Sequence, residues 1–198
     1  MIGLTAEHHG HKQFPESKAF VLDNPIRRLL SPPKRLISKI NIGSHDVVVD
    51  FGCGPGFFLI PLGKVAGKAI GVDVSPRMLE KAAEHAKKEL SAVELLQSDG
   101  TNLKLDNGSV DLILLNHVFH EVQDKTRVLG EFHRILKPLG RLAIVERTRE
   151  VSRLWARFGP PRIDEKELSN DVQQEGFRII ESIPHGTDSI IIAQTDKN

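Results

Sequence analysis

The sequence predicts an α/β protein in three layers, built on a seven-stranded, mostly parallel sheet that finishes in an antiparallel hairpin. Three observations carry this. Between about residues 45 and 147, short aliphatic or β-branched runs alternate with segments of helical periodicity. Such alternation implies parallel strands joined by right-handed crossovers. A glycine-rich turn, Gly52-Cys53-Gly54-Pro55-Gly56, separates the first run from the first helical segment. Beyond residue 148, two further strand-like runs are joined by about five residues around His185-Gly186, the pattern of a hairpin.

Taken in order, residues 1–44 are rich in His, Pro and Lys, with isolated apolar positions. Asn24-Pro25 suits a helix start, with proline at the first helical position, and Ser31-Pro32-Pro33 breaks the chain. Leu36, Ile37 and Ile40 then share one helix face. The segment is expected to be a helical lid on a single domain spanning 45–198. Phe14 and Phe20 suit either a cover over a cleft or a small core. Val47-Val48-Val49 reads as a strand buried on both faces. Residues 57–66 read as a helix, and 69–72 as a second strand ending at Asp73. Ser75-Pro76 caps a helix that runs to about residue 90. Residues 93–96 and 110–115 are the third and fourth strands. A helix is expected over 125–136, with Val128, Leu129, Phe132 and Ile135 on one face. Lys137-Pro138-Leu139-Gly140 stops it, and 141–145 is the fifth strand. After an irregular stretch containing Gly159-Pro160-Pro161, a helix over 165–174 closes at Gly176. Residues 177–180 and 189–193 complete the sheet.

Whole-chain properties narrow the partners. The 198 residues suit one domain with a short appendage. The formal net charge is +1 and no basic patch runs through the chain, which argues against nucleic acid or anionic membrane as a partner. A single cysteine, Cys53, excludes an internal disulfide and fits a reducing compartment. The N-terminus lacks the pattern of a signal peptide, and no run of about 18 apolar residues suggests a membrane span. A cytoplasmic location is therefore expected.

The chemistry concentrates at the glycine turn. A strand, a glycine turn and a helix bring ligands against exposed backbone N–H groups. Asp73 lies twenty-one residues beyond Gly52, at the end of the next strand. An acid at that spacing accepts hydrogen bonds from ribose hydroxyls. The dinucleotide pattern G-x-G-x-x-G fails, because its third glycine would fall at Phe57. A second acid, Asp50, ends the first strand, so the cleft suits a ligand with positive charge.

These residues carry a resemblance. Val48-Val49-Asp50-Phe51-Gly52-Cys53-Gly54-Pro55-Gly56 resembles the first signature of class I S-adenosylmethionine (SAM)-dependent methyltransferases, and Gly71-Val72-Asp73-Val74-Ser75 the second. Gln97-Ser98-Asp99-Gly100, the segment from Asp111 to His117, and Leu136-Lys137-Pro138-Leu139-Gly140 fit the later ones in order. The tail with Glu175-Gly176-Phe177 is similar to the small-molecule subgroup related to ubiquinone and menaquinone biosynthesis C-methyltransferases. The resemblance covers roughly residues 45–147 and implies a Rossmann-like three-layer sandwich. It also implies SAM as cofactor, S-adenosylhomocysteine as product and a small-molecule acceptor. By the same resemblance, the backbone at Gly52, Cys53 and Gly54 contacts the methionine part and Asp50 holds its amino group. Asp73 takes the ribose hydroxyls, Val74 and Met78 lie against adenine, Asp99 accepts from its amino group, and Gly100 lies beside the ring. Asn116 and His117 form the floor near the sulfonium.

Each residue also has a structural reading. Asp73 suits a capping carboxylate before Ser75-Pro76, Asp99 a turn former, and Asp50 a cap on loop amides. Cys53 has no paired base in the sequence, so a catalytic thiol is not expected. His117 and His120, with Glu121, follow the fourth strand and are the candidates for a general base or for substrate contact. No set of metal ligands is visible. His8, His9 and His11 cluster near the N-terminus and are expected to be solvated. Asn116-His117-Val118-Phe119 stands where an amino-methylating enzyme of nucleic acids would carry Asn-Pro-Pro-Tyr. The alternatives are a SAM-binding protein without catalysis and, disfavoured by Asp50 and Phe57, an NAD-dependent oxidoreductase.

Overall fold

A computed structural model describes residues 33–149 and 161–197. The elements, in chain order, begin with α1 (Pro33–Ile37), β1 (Val47–Phe51), α2 (Leu59–Gly63), β2 (Lys68–Asp73), α3 (Pro76–Lys88), β3 (Glu94–Gln97) and β4 (Val110–Asn116). A 3-10 turn (Phe119–Glu121) leads to α4 (Lys125–Ile135), β5 (Leu136–Arg147), α5 (Glu165–Gln174), β6 (Phe177–His185) and β7 (Asp188–Thr195). The seven strands form one sheet in the order β3-β2-β1-β4-β5-β7-β6. Strands β1 to β5 run parallel; β7 is antiparallel to both its neighbours.

β1 lies at the centre with helices over both faces, which is why its sequence is continuously apolar up to Asp50. On one face, Leu129, Phe132 and Ile135 of α4 and Leu168 and Val172 of α5 pack on Val49, Ile113 and Leu142. On the other, Leu36, Leu59, Leu62 and Ala82 pack on Val48, Leu112, Leu114 and Val145. The order of strands reverses between β1 and β4. The carboxyl ends of the strands around that reversal are where ligands bind in open α/β sheets.

The structure differs from the sequence expectation at several boundaries. The helix expected over 57–66 forms only at Leu59–Gly63. Phe57 and Phe58 pack edge to face within the preceding turn, and the backbone at Gly63 closes on Ser91 and Val93. The Lys137–Gly140 segment, expected as a stop, is absorbed into β5. Pairing begins at Val110 with Leu136 and slips to Leu112 with Arg141, so the extra residues bulge. Gln194 and Thr195 of β7 hold that bulge by donating to the carbonyls of Leu139 and Lys137. β6 and β7 are longer than expected. Only Gly186 and Thr187 separate them, and Gly186 supplies a positive φ. α5 occupies the expected residues, with Asp164 capping two amides and Gly176 at φ +81 behind it. The helix start at Pro25, Phe14, Phe20 and the N-terminal histidines lie outside the described residues, as do residues 150–160.

Candidate active site at the carboxyl edge of the sheet

The glycine loop is tied to the neighbouring strand. The amides of Gly52 and Cys53 both donate to the Val72 carbonyl, at 2.8 and 3.0 Å. Gly52 has φ +73, and a Cβ there would stand 2.4 Å from Val118 Cγ2, so glycine is required on both counts. Gly54 also has positive φ, but a Cβ there would meet nothing within 4 Å. The loop therefore presses on Val118 at one end and faces open space at Gly54.

Asp73 ties the loop to β2. One carboxylate oxygen accepts from the Gly54 amide at 2.8 Å and the other from the Ser75 amide at 2.9 Å. Burial raises its pKa, and the amides of Ser75, Gly54 and Val74 oppose the rise. Its capping function and a ligand function use different lone pairs, so both readings fit. Val74, next along, is 45% exposed, unusual for a large apolar side chain at the end of a core strand. Met78 is buried under the first turn of α3. Asp99 forms a turn, one oxygen accepting from the Thr101 amide and hydroxyl. Gly100 is glycine because a Cβ would stand 2.6 Å from the Phe51 ring.

Asp50 is 3% exposed, and its Oδ2 has no hydrogen-bond partner. The Leu59 amide donates to its carboxylate, yet burial, with Asp73 nearby, raises its pKa to about 7. A buried carboxylate oxygen without a partner is costly in the free protein. Cys53 is buried, and burial together with Asp50 and Asp73 pushes its thiol far above the usual range. It is not an activated nucleophile.

Beyond β4 lies a cluster that only the fold assembles. Asn116 ends β4 opposite Val145, and His117 turns the chain with φ +56. The ring of His117 reaches across β5: Nε2 lies 3.2 Å from Asp188 Oδ2, and Nδ1 lies 3.7 Å from Glu146 Oε2. The first is an ion-pair contact. The second is too long for a hydrogen bond, and Nδ1 is otherwise unpartnered. Burial alone would lower the pKa of His117, but Asp188 and Glu146 outweigh it and raise it to about 9. His120 Nδ1 sits 3.1 and 3.0 Å from the two oxygens of Glu146, and its Nε2 lies 3.8 Å from Glu121. Burial pushes Glu146 up, but the two histidines prevail and bring it down to about 2. Were the segment after β4 helical, His117 would share a face with Glu121 and Asn116 with His120. The 3-10 turn instead points both rings at Glu146.

Glu146, Arg147 and Asp188 were not singled out from the sequence. One signal was there: Glu146-Arg147 is a charged pair closing an apolar strand, at the end where ligands bind. The hollows at Thr148–Arg149 and Gln123–Lys125 lie away from the glycine loop. The assignment of the loop therefore rests on its unpartnered carboxylate and backbone geometry, not on depth.

With this geometry in place, comparison with known proteins is informative. Residues 49–144 match the profile of a methyltransferase domain. The chain is 30% identical over 116 residues to the demethylmenaquinone methyltransferase of Staphylococcus saprophyticus, covering 57% of this chain and 49% of that protein. It is 39% identical over 114 residues to an uncharacterised 37.1 kDa protein in transposon Tn4556 of Streptomyces fradiae, covering 56% of this chain and 33% of that one. A SAM-dependent methyltransferase from Aquifex aeolicus superposes with a TM-score of 0.83 at 29% identity, covering 92% of this chain and 99% of that one. The chain carries a methyltransferase domain and has the fold of the class I SAM-dependent methyltransferases. It spans between a third and a half of the length of these two curated relatives. Among the described residues, no helix is long and apolar enough to cross a membrane, and no group of residues is arranged to hold a metal ion.

Proposed function

We propose that this chain is a SAM-dependent methyltransferase acting on a small-molecule acceptor, with SAM bound at residues 50–56, 73–78 and 99–100. The observation that carries this is Asp50. Its buried, unpartnered oxygen stands behind a glycine loop that faces open space at Gly54, so the site fits a ligand with a cationic group. The ammonium of SAM is such a group. Gly52, Cys53 and Gly54 would lie along its methionine part, and the remaining lone pairs of Asp73 suit ribose hydroxyls. Val74 and Met78 would flank adenine, Asp99 and Gly100 would lie at its amino edge, and Asn116 and His117 would form the floor by the sulfur.

When bound, SAM supplies a methyl group on a positively charged sulfur, already activated for in-line displacement. The protein's task is then alignment and exclusion of water. Val118 fixes the loop by packing on Gly52. A general base is needed only where the acceptor must lose a proton. Asp188 and Glu146 hold His117 protonated at neutral pH, so a base role for it does not fit. His120 fits that role. Its Nδ1 is anchored on the buried Glu146, which orients the ring and leaves Nε2 to face the acceptor.

Calorimetric titration with SAM, S-adenosylhomocysteine and NAD tests the cofactor. Affinity for the first two is expected, and binding of NAD alone would overturn the reading. Incubation with methyl-labelled SAM and a panel of small-molecule acceptors tests catalysis. Binding without label transfer across a wide panel would favour a SAM-binding protein that does not catalyse.

A further inference from the structure

Arg147 is the last residue of β5 and is 6% exposed, yet its buried Nε has no hydrogen-bond partner. Nor does its side chain enter any ion pair among the described residues. A buried guanidinium left in that state is a liability for folding alone, since buried cations are normally paired.

Its surroundings explain why no carboxylate answers it. Asp188 stands directly opposite Arg147 in the antiparallel register of β5 and β7. Directly opposed residues project on the same face of a sheet. Asp188, however, is engaged by His117, whose amide also donates to the Val145 carbonyl two residues before Arg147. The His117 ring thus takes the acid that faces Arg147 across the two strands. Glu146, the other nearby acid, is held by His120. Charges of both signs meet at this corner, Asp188 and Glu146 with His117 and Arg147. His185, at the end of β6, is harder to protonate than usual, through burial first, then Lys39, with Arg35 and His117 adding to it and Asp188 opposing.

This corner adjoins the cofactor loop. Val118, which packs on Gly52, is the next residue after His117. A group held by Arg147 would therefore lie beside the methionine end of the cofactor site.

We propose that Arg147, opposite the Asp188 that pairs with His117, is the recognition site for an oxyanion on the methyl acceptor, so that the substrate is a small organic carboxylate or phosphate. This rests on the reading that residues 52–54 hold the methionine part of SAM. The guanidinium offers a planar fork that matches a carboxylate or phosphate in two-point contact. Arg147 is a specificity-determining residue here, not a catalytic one.

The test uses the full chain and three proteins: wild type, R147M and R147K. Thermal stability is followed with inorganic phosphate or benzoate against chloride at equal ionic strength, with and without S-adenosylhomocysteine. Wild type should be stabilised by phosphate or benzoate beyond the chloride control. R147M should lose at least tenfold of that anion affinity, R147K less, and both should bind S-adenosylhomocysteine within twofold of wild type. R147M without anion should melt no lower than wild type, because an unpaired buried cation has been removed. In turnover with methyl-labelled SAM, acids should be preferred to their neutral methyl esters, and R147M should raise KM for the acid more than it lowers kcat. A lower melting point for R147M, with anions acting alike on all three proteins, would show a structural arginine and overturn the proposal. Preference for the neutral esters would also overturn it. Failure of wild type to bind S-adenosylhomocysteine would sink the cofactor reading instead, while the anion titration without it still decides whether Arg147 binds oxyanions.

Discussion

Asp50 is a buried carboxyl with one oxygen unpartnered. Its pKa in the folded state, about 7, lies above the ordinary carboxyl value of 3.8. A raised carboxyl pKa means that the folded state holds the proton longer than the unfolded state. Stability from this site is therefore greatest below pH 3.8 and is lost as pH rises through about 7. Asp50→Asn should stabilise the ligand-free protein at pH 8, by on the order of 2–4 kcal/mol, while weakening S-adenosylhomocysteine binding about tenfold or more, the loss expected for a charged hydrogen bond. Thermal melts with and without ligand check both signs. In the wild type, ligand affinity should fall about tenfold between pH 8 and pH 6, because binding an ammonium requires the ionised form. Calorimetry across that range should show a proton released on binding.

Among the structural elements, the loop between β1 and α2 separates two uses of glycine. Gly52 is confined by Val118, whereas Gly54 is confined only by its own φ of +52. Gly54→Ala should cost about 1 kcal/mol of stability, the usual strain of a left-handed side-chain-bearing residue. It should still abolish measurable binding of S-adenosylhomocysteine, since the added methyl faces the ligand. Gly52→Ala should cost more, about 2–4 kcal/mol from strain plus the clash, and Val118→Ala should recover part of it. Denaturant unfolding of the two single variants and the pair measures this. Equal losses at Gly52 and Gly54 would show that Val118 does not clamp the loop.

Over the whole molecule, the sheet order decides what meets at the carboxyl edge. β7 lies between β5 and β6, which brings Asp188 to a histidine seventy-one positions earlier in the chain. The cluster has a pH signature. Glu146, lowered to about 2 from 4.5, contributes stability present above 4.5 and lost as pH falls through about 2. His117, raised to about 9 from 6.5, contributes stability present below 6.5 and lost as pH rises through about 9. The two describe one partnership and are not additive. His117→Gln should flatten the alkaline decline of the melting temperature between pH 6.5 and 9; an unchanged profile would mean that Asp188 and Glu146 do not hold the charged ring. Removing residues 177–197 should prevent folding, because β7 covers Ile144 and Val145 along β5. Circular dichroism and sedimentation of the shortened chain report this.

The sequence by itself determined the sheet, the glycine turn and the two acids at strand ends. Each depends on local pattern: β-branched runs for strands, positive-φ turns for glycine, a capped helix after Asp73. Its errors fell where local pattern is silent. The helix after the glycine turn came out short because Ser91 and Val93 close on Gly63, and the bulge in β5 exists because β7 holds it. Tertiary structure alone decided the chemistry beyond β4. Nothing in the spacing of His117, Glu146, Arg147 and Asp188 says which acid meets which base. Only the placement of β7 beside β5 gives Asp188 to His117 and leaves the buried Arg147 unanswered, because ion pairing depends on distance in space and not along the chain.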